Sequence, residues 1–395
     1  ASGGPVFGSG ELRDAQHSEL SLGAELLLGK DEHHKVTASV YHHALDRTSP
    51  AVFPLVPPSI EATDFTRSRL GWSGTLHSGE HLRLAVGADL DREEGENRSL
   101  LFLPPFLGGD VPGDYRLVRT TPGAFAELLI ERGDLLFEIG SRLDFPEDTS
   151  AQWSPRLGIR YQLGDDGSTR LRASAGRAFK LPSFFALASP PQLGGNPDLR
   201  PETSLGADLG IEHSFGGNAD SRPIDAGLTL FYSRYENLVD FDFETFSHVN
   251  RSEVEARGVE SYLTWRPDAR FALRLNLTWQ EVKNIGSDAR LRHRPRWVGG
   301  LRLTWTPRPT LRFELSSQGV SESFDEQIPV TDRFTTSGYQ LLALSGSWKL
   351  ASSWELRGRV DNLADKNYET LIGFPGPGRA LRLGLRYHLG GRQDP

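Results

Sequence analysis

The sequence contains no cysteine among its 395 residues, which excludes disulfides and thiolate metal sites. Methionine is absent too, so the chain is expected to begin after a processing event or within a longer polypeptide. No run of about 20 apolar residues occurs, and a transmembrane helix is therefore unavailable. Ala1-Ser2-Gly3-Gly4 opens without the basic and then apolar stretch of a signal peptide. Apolar residues make up 37% of the chain, below the roughly 45–50% of ordinary globular domains. The net charge of −8 gives no reason to expect nucleic acid as a partner. Glycine (42) and aromatics (10%) are plentiful, and aromatics spaced this regularly argue against a disordered chain. Apolar residues diluted nearly one for one by polar ones are the arithmetic of an all-β, antiparallel transmembrane β-barrel.

Period-two alternation runs almost the length of the chain. Leu82, Leu84, Val86 and Leu90 alternate with Arg83, Ala85, Gly87, Asp89 and Asp91. Phe137, Ile139, Leu143 and Phe145 alternate with Glu138, Arg142 and Asp144, and Phe271, Leu273, Leu275, Leu277 and Trp279 with Arg274, Asn276, Thr278 and Gln280. A soluble sandwich or propeller would show the same alternation, and the links between strands separate the two readings. Tight turns fall at 29–33, 77–81, 131–134, 163–168, 215–223, 266–270, 306–310 and 350–353. Longer links lie between them, at about 46–62, 91–117, 145–152, 177–203, 235–256, 282–295, 319–337 and 361–379. Short and long links alternate without exception, as short periplasmic turns and long extracellular loops do in outer-membrane barrels. Tryptophans near strand ends, such as Trp72, Trp153, Trp265, Trp305, Trp348 and Trp354, suit interfacial girdles.

The alternation yields about 17 strands, from near 19–28 to 378–389. The first runs into a short turn and the last follows a long link, so the chain is expected to start outside and end in the periplasm. A single-chain bacterial barrel with both ends in the periplasm has an even strand count. An odd number of strands is therefore expected upstream, and the Gly-rich residues 1–12 do not supply it.

Three stretches resemble TonB-dependent outer-membrane receptors, in the family's order. Gly176-Arg177-Ala178-Phe179-Lys180-Leu181-Pro182-Ser183 is followed by Gly195-Asn196-Pro197-Asp198-Leu199-Arg200-Pro201-Glu202. Val249-Asn250 leads to Gly258-Val259-Glu260, and Asn362-Leu363-Ala364-Asp365-Lys366-Asn367-Tyr368 is followed by Gly376-Pro377-Gly378-Arg379. Each piece alone is ordinary turn chemistry; the three in order on a barrel-like chain are not. The resemblance covers about 10–390, and its loop lengths are most similar to the cobalamin receptor branch. It implies a 22-stranded barrel of which five strands, the plug domain and the TonB-contacting segment lie outside this chain. Residues 13–389 then form the barrel, with 1–12 an N-terminal segment and 390–395 a tail. The implied location is the outer membrane of a Gram-negative bacterium, as a monomer in contact with lipid and the barrel-assembly machinery. Gly384, Tyr387 and Leu389 resemble the assembly signal of a last strand, although the chain runs on past it instead of stopping at an aromatic residue.

The implied function is uptake of a scarce nutrient, a ferric siderophore or a cobalamin-like ligand, with TonB reached only through the absent plug. Candidate ligand-binding side chains sit in the apolar loops. Phe102, Phe106, Tyr115, Phe184 and Phe185 would stack on a flat ligand, and Arg177 and Lys180 would pair with an anionic one. The plainer reading is that these loops pack on one another as a lid. Arg172, Arg357 and Arg359 are expected on the polar face. His33-His34 and His42-His43 lie nine residues apart on one strand, roughly 30 Å, too far for a shared metal site. No histidine lies between Lys180 and Asn196, which argues against haem. No cofactor is expected, and no Ser/His/acid set or phosphate loop points to an enzyme. Two rivals remain, a plugless passive channel and an adhesive barrel whose loops bind a cell or phage.

Overall fold

The computed structural model describes residues 12–28, 32–50, 57–103, 105, 108–164, 167–216, 223–242, 244–286, 290–325 and 333–387. Among them run seventeen strands of eight residues or more, the number expected from the alternation. The paired neighbours are antiparallel; β3 and β4 below pair without a break from Ser59 with Leu101 to Ser78 with Leu82, whereas the register shifts beside the turns that follow Arg308 and Ala351. The residues group into two compact units, Ala1–Arg160 with Ala173–Ala207 and Ser233–Glu255, and Tyr161–Arg172 with Asp208–Tyr232 and Ala256–Pro395.

The first unit holds β1 (Leu12–Leu28), β2 (Glu32–Ser49), β3 (Ser59–Ser78), β4 (Leu82–Leu101), β5 (Tyr115–Arg132) and β6 (Leu135–Asp144). Parts of β7 (Gln152–Leu163), β8 (Thr169–Lys180), β9 (Glu202–Phe215), β10 (Ile224–Asp242) and β11 (Ser247–Asp268) belong to it as well. Alternation decides the faces. Leu70, Trp72, Leu82, Leu90, Ile139 and Leu143 are exposed, whereas Gly87, Asp144 and Arg119 on the opposite face are buried. This inverts a soluble sheet. Among the described residues the buried hydrophobic ones are Phe184, Ala186, Leu199, Val254 and Ile372, and of these only Val254 is in a strand. The strands' apolar side chains must therefore be covered by something other than this chain, and lipid is the solvent that makes such exposure favourable.

The second unit holds β12 (Phe271–Asn284), β13 (Trp297–Arg308), β14 (Leu311–Val320), β15 (Tyr339–Ala351), β16 (Trp354–Asp361) and β17 (Ala380–Tyr387). Here the alternation produces aromatic rows. Phe271, Trp305 and Phe313 are direct register partners, with ring centroids 6.3 and 5.7 Å apart. Eight residues further along the same strands Trp279 faces Trp297 at 6.5 Å. Eight residues span about 27 Å along a strand, and at a tilt of about 40° the two rows bracket roughly 20 Å of membrane depth, most of the ~25 Å apolar band of such proteins. Leu273, Leu275, Leu277, Leu301 and Leu303 fill the same face between them.

Several links are shorter than expected, β4 running on to Leu101 through the first half of the link predicted at 91–117, and one departs further. A long loop is predicted at 235–256, yet β10 and β11 continue through most of it, with a turn at 244–246. Cross-strand ion pairs hold this extension, Arg251 to Asp240 at 2.7 Å and Arg234 to Glu253 at 2.6 Å. Asp242 closes the turn by accepting from the Thr245 hydroxyl at 2.8 Å. Polar residues suited to a loop are equally suited to a hairpin standing clear of the lipid. The terminal segments 1–11 and 388–395 lie outside the described residues, and with them Leu389 and the tail. Gly384 and Tyr387 pair with Arg357 and Trp354 on β16.

Candidate functional site

In the first unit the chain leaves β8 at Lys180 and folds the link 181–201 back onto the polar face. Ser183 starts the turn, its hydroxyl accepting from the Ala186 amide at 3.2 Å, and a short helix α1 (Phe184–Ala188) follows. Phe184 is the anchor. Its ring lies 6.2 Å from that of Phe65 and beneath the Arg119 guanidinium, 4.9 Å from the ring centre. It sits over Gly95, where a Cβ would stand 2.5 Å from the ring. Arg119 also donates to the Pro182 carbonyl at 3.2 Å, so one cation holds both ends of this turn.

Beside this anchor is a cavity of about 940 Å³. Its floor is a network of charges from β3 to β6. Arg142 donates to both oxygens of Asp89 at 2.8 and 2.9 Å and to Asp144 at 2.9 Å. Asp89 also meets Arg69 at 3.3 Å, Asp91 meets Arg67 at 2.9 Å, and Arg119 meets Asp148 at 2.8 Å. Bidentate, shielded pairs of this kind are the strong ones.

The candidate side chains divide. Tyr115, Lys180, Phe184 and Phe185 all border the cavity. Phe184 is buried as an anchor, whereas Phe185 is exposed and packs edge-on against His248 at 5.6 Å. Lys180 is exposed and paired with Glu202 at 3.3 Å. Phe102 is half-buried away from the cavity, with its amide donating to the Pro58 carbonyl at 3.0 Å. Arg177 is turned to the Trp153 carbonyl, and Phe106 lies outside the described residues. Arg67, Arg69, Asp89, Asp91, Arg119, Arg142 and Asp144 escaped the sequence reading. Their signal was present as charges at i, i+2 on one face, but only strand register joins them across β3 to β6. His248, Phe241 and Phe246 escaped it as well; they form an edge-on aromatic cluster with Phe185, and Phe246 adopts a left-handed backbone at φ 51°.

The histidine pairs on β2 go to separate partners, His33 to Glu25 and His42 to Asp64, each at 3.4 Å. In the second unit Arg172 reaches the Thr229 hydroxyl at 2.9 Å, and Arg357 and Arg359 pair with Glu355 and Asp361, each at 2.6 Å.

The quoted motifs turn out to fold loops. Asn250 donates to the Arg200 and Asn237 carbonyls at 3.0 and 2.7 Å and accepts from the Arg200 amide at 2.9 Å. Asn196 donates to the His248 carbonyl at 2.9 Å, so the first two motifs clasp each other. In the last loop Asn362 donates to the Lys366 and Pro377 carbonyls at 2.9 and 3.1 Å, and Asp365 accepts from the Arg379 amide at 2.9 Å.

With this geometry in place, comparison with known proteins decides the family. Residues 3–363 match the TonB dependent receptor-like β-barrel. The chain belongs to the TonB-dependent receptor family. A vitamin B12 transporter of Vibrio cholerae is 26% identical over 341 residues, 82% of this chain and 53% of the transporter. A ferric enterobactin receptor of Pseudomonas aeruginosa is 26% identical over 363 residues, 77% of this chain and 47% of that receptor. The solved ferric-catecholate import receptor of Escherichia coli K12 superposes with a TM-score of 0.77 at 13% identity, over 96% of this chain and 65% of its own. The chain thus spans about half the length of the curated relatives it matches. TonB-dependent receptors are non-enzymatic transporters of the Gram-negative outer membrane, and membership places this barrel there.

Proposed function

We propose that this barrel, residues 13–389, imports a scarce nutrient of the cobalamin or ferric siderophore class, energised by TonB through a plug domain. The two matched relatives are a vitamin B12 transporter and a ferric enterobactin receptor, which supports that pair of classes. The carrying observation is the folded link 181–201 beside the 940 Å³ cavity, where Tyr115, Phe185 and Lys180 converge on a charged floor. In this reading Tyr115 and Phe185 stack on the ligand, Lys180 contributes a polar contact, and Phe184 keeps the link seated. Phe102 would engage ligand only after its loop moves, and Arg177 only on leaving the Trp153 carbonyl. Uptake of labelled vitamin B12 and ferric enterobactin by cells with no other receptor for either tests it. Uptake of one of them, lost on deletion of TonB, is the expected result. Steady conductance of the purified native protein in a planar bilayer would instead establish a passive channel.

A further inference from the structure

The polar face of the second unit carries a charge imbalance that its described residues do not correct. A cavity of about 640 Å³ opens on it, bordered by Arg274 and Asn276 of β12, Arg302 of β13, Arg359 and Asp361 of β16, and Arg382 of β17. Asp361 is the only carboxylate among the lining residues, against four arginines. It is shared, meeting Arg359 at 2.6 Å and Arg382 at 3.2 Å. Glu314, outside the lining, is shared in turn by Arg302 at 3.3 Å and Arg312 at 3.6 Å. Arg274 has no partner among the described residues. Five arginines thus stand against two carboxylates, an excess of three.

Strand register makes the excess costly. Arg274 is the direct cross-strand partner of Arg302, and Arg359 of Arg382. Like charges placed directly opposite, with Cβ atoms about 5 Å apart, destabilise a sheet, and an anion between the guanidiniums relieves that repulsion. The ground between the two pairs is low, because Ser316 faces Arg302 and Ala343 faces Ser316 on the intervening strands. Arginines of β13 and β16, three strand spacings or about 14 Å apart, therefore border one cavity over short side chains. Asn276 adds a neutral donor. Its amide has no partner among the described residues and lies across Gly300, where a Cβ would stand 2.6 Å from its Oδ1. Guanidinium forks match the oxygens of phosphate two at a time.

We propose that this cavity is a seat for a phosphate-type oxyanion, clamped between the Arg274–Arg302 and Arg359–Arg382 pairs with Asn276 donating beside them. A doubly charged phosphate group offsets more of the excess than a carboxylate does. The inference holds whichever nutrient the barrel imports.

The test is calorimetric titration of the native full-length receptor in detergent, at roughly 100 mM NaCl, with inorganic phosphate and with glycerol phosphate. Saturable binding is expected. Tighter binding of inorganic phosphate identifies the free ion as the ligand, and tighter binding of the ester identifies a phosphoryl group on a larger molecule. Arg274→Gln should weaken binding by about tenfold or more. In phosphate-free buffer this variant should melt no lower than the unmodified protein, because it removes a like charge opposite Arg302 and breaks no pair. Should it fail to fold, Arg382→Gln, at a side chain 71% exposed, carries the same expected loss. Arg308→Gln, at the turn end of β13 and outside the cavity lining, should change binding by less than about twofold. An equal loss in Arg308→Gln marks general surface attraction and overturns the inference. So does the absence of saturable phosphate binding, including the case in which carboxylates of the plug already neutralise the arginines.

Discussion

The polar faces of the two units use the same residue types with different consequences. In the first unit the ion pairs draw on four strands, β3 to β6, and lie under a folded link. Side-chain exposure is 4% for Arg119 and 5% for both Asp89 and Asp144. In the second unit Arg357 pairs with Glu355 two residues away, and Arg302 with Glu314 on the neighbouring strand, with the arginines 51% and 54% exposed. Removing one partner from a shielded network strands a charge and costs about 3–5 kcal/mol, whereas an exposed pair contributes about 0–1 kcal/mol. Composition therefore does not locate the electrostatic energy of this protein; register and cover do. In the second unit a shielded carboxylate ties two loops together. Asp325, fully buried, accepts from His293 Nε2 and the Ile372 amide, each at 2.8 Å.

The largest effect that would break this contrast belongs to Arg119. Arg119→Ala should cost about 3–5 kcal/mol, because it strands Asp148 and removes the hold on Pro182 and Phe184. Hydrogen exchange should then accelerate strongly at the Leu187 and Asn196 amides and leave the 362–379 loop unchanged. Gly95→Leu comes next. Its side chain occupies the place of the Phe184 ring, an overpacking cost of about 1–3 kcal/mol, and protease sensitivity should rise within 181–201 while the strands stay protected. Asn250→Ala removes two hydrogen bonds between the clasped motifs and one to Asn237 and should cost about 1–3 kcal/mol, read as faster exchange at the Arg200 amide. Arg357→Ala should change thermal stability by no more than about 0.5 kcal/mol; a larger loss would erase the distinction between the units.

Much of the architecture was legible in sequence because a membrane sheet writes one face in apolar residues and the other in polar ones. The seventeen strands and the aromatic rows at Phe271, Trp279, Trp297 and Trp305 follow from that period. The site was legible only in part. Tyr115, Lys180, Phe184 and Phe185 stood out as aromatics and cations in loops, but the burial of Phe184 depends on Gly95 and Phe65, which lie about 90 and 120 residues away in sequence. The charge network was invisible for the same reason, since Asp89 and Arg142 acquire meaning only once β4, β5 and β6 are in register. The hairpin of β10 and β11 was missed because ion-paired polar strands clear of lipid read as loop.

The measurement that tests the contrast most directly is a paired thermal melt of the native receptor in one detergent, with Arg142→Ala beside Arg302→Ala. Arg142→Ala removes the arginine of Asp144 and leaves Asp89 with Arg69 alone, and its midpoint should fall by several degrees, about 2–4 °C per kcal/mol lost for domains of this order of size or smaller. Arg302→Ala should melt within about a degree of the unmodified protein. Equal shifts for the two would contradict the claim that the shielded network of the first unit carries the electrostatic stability.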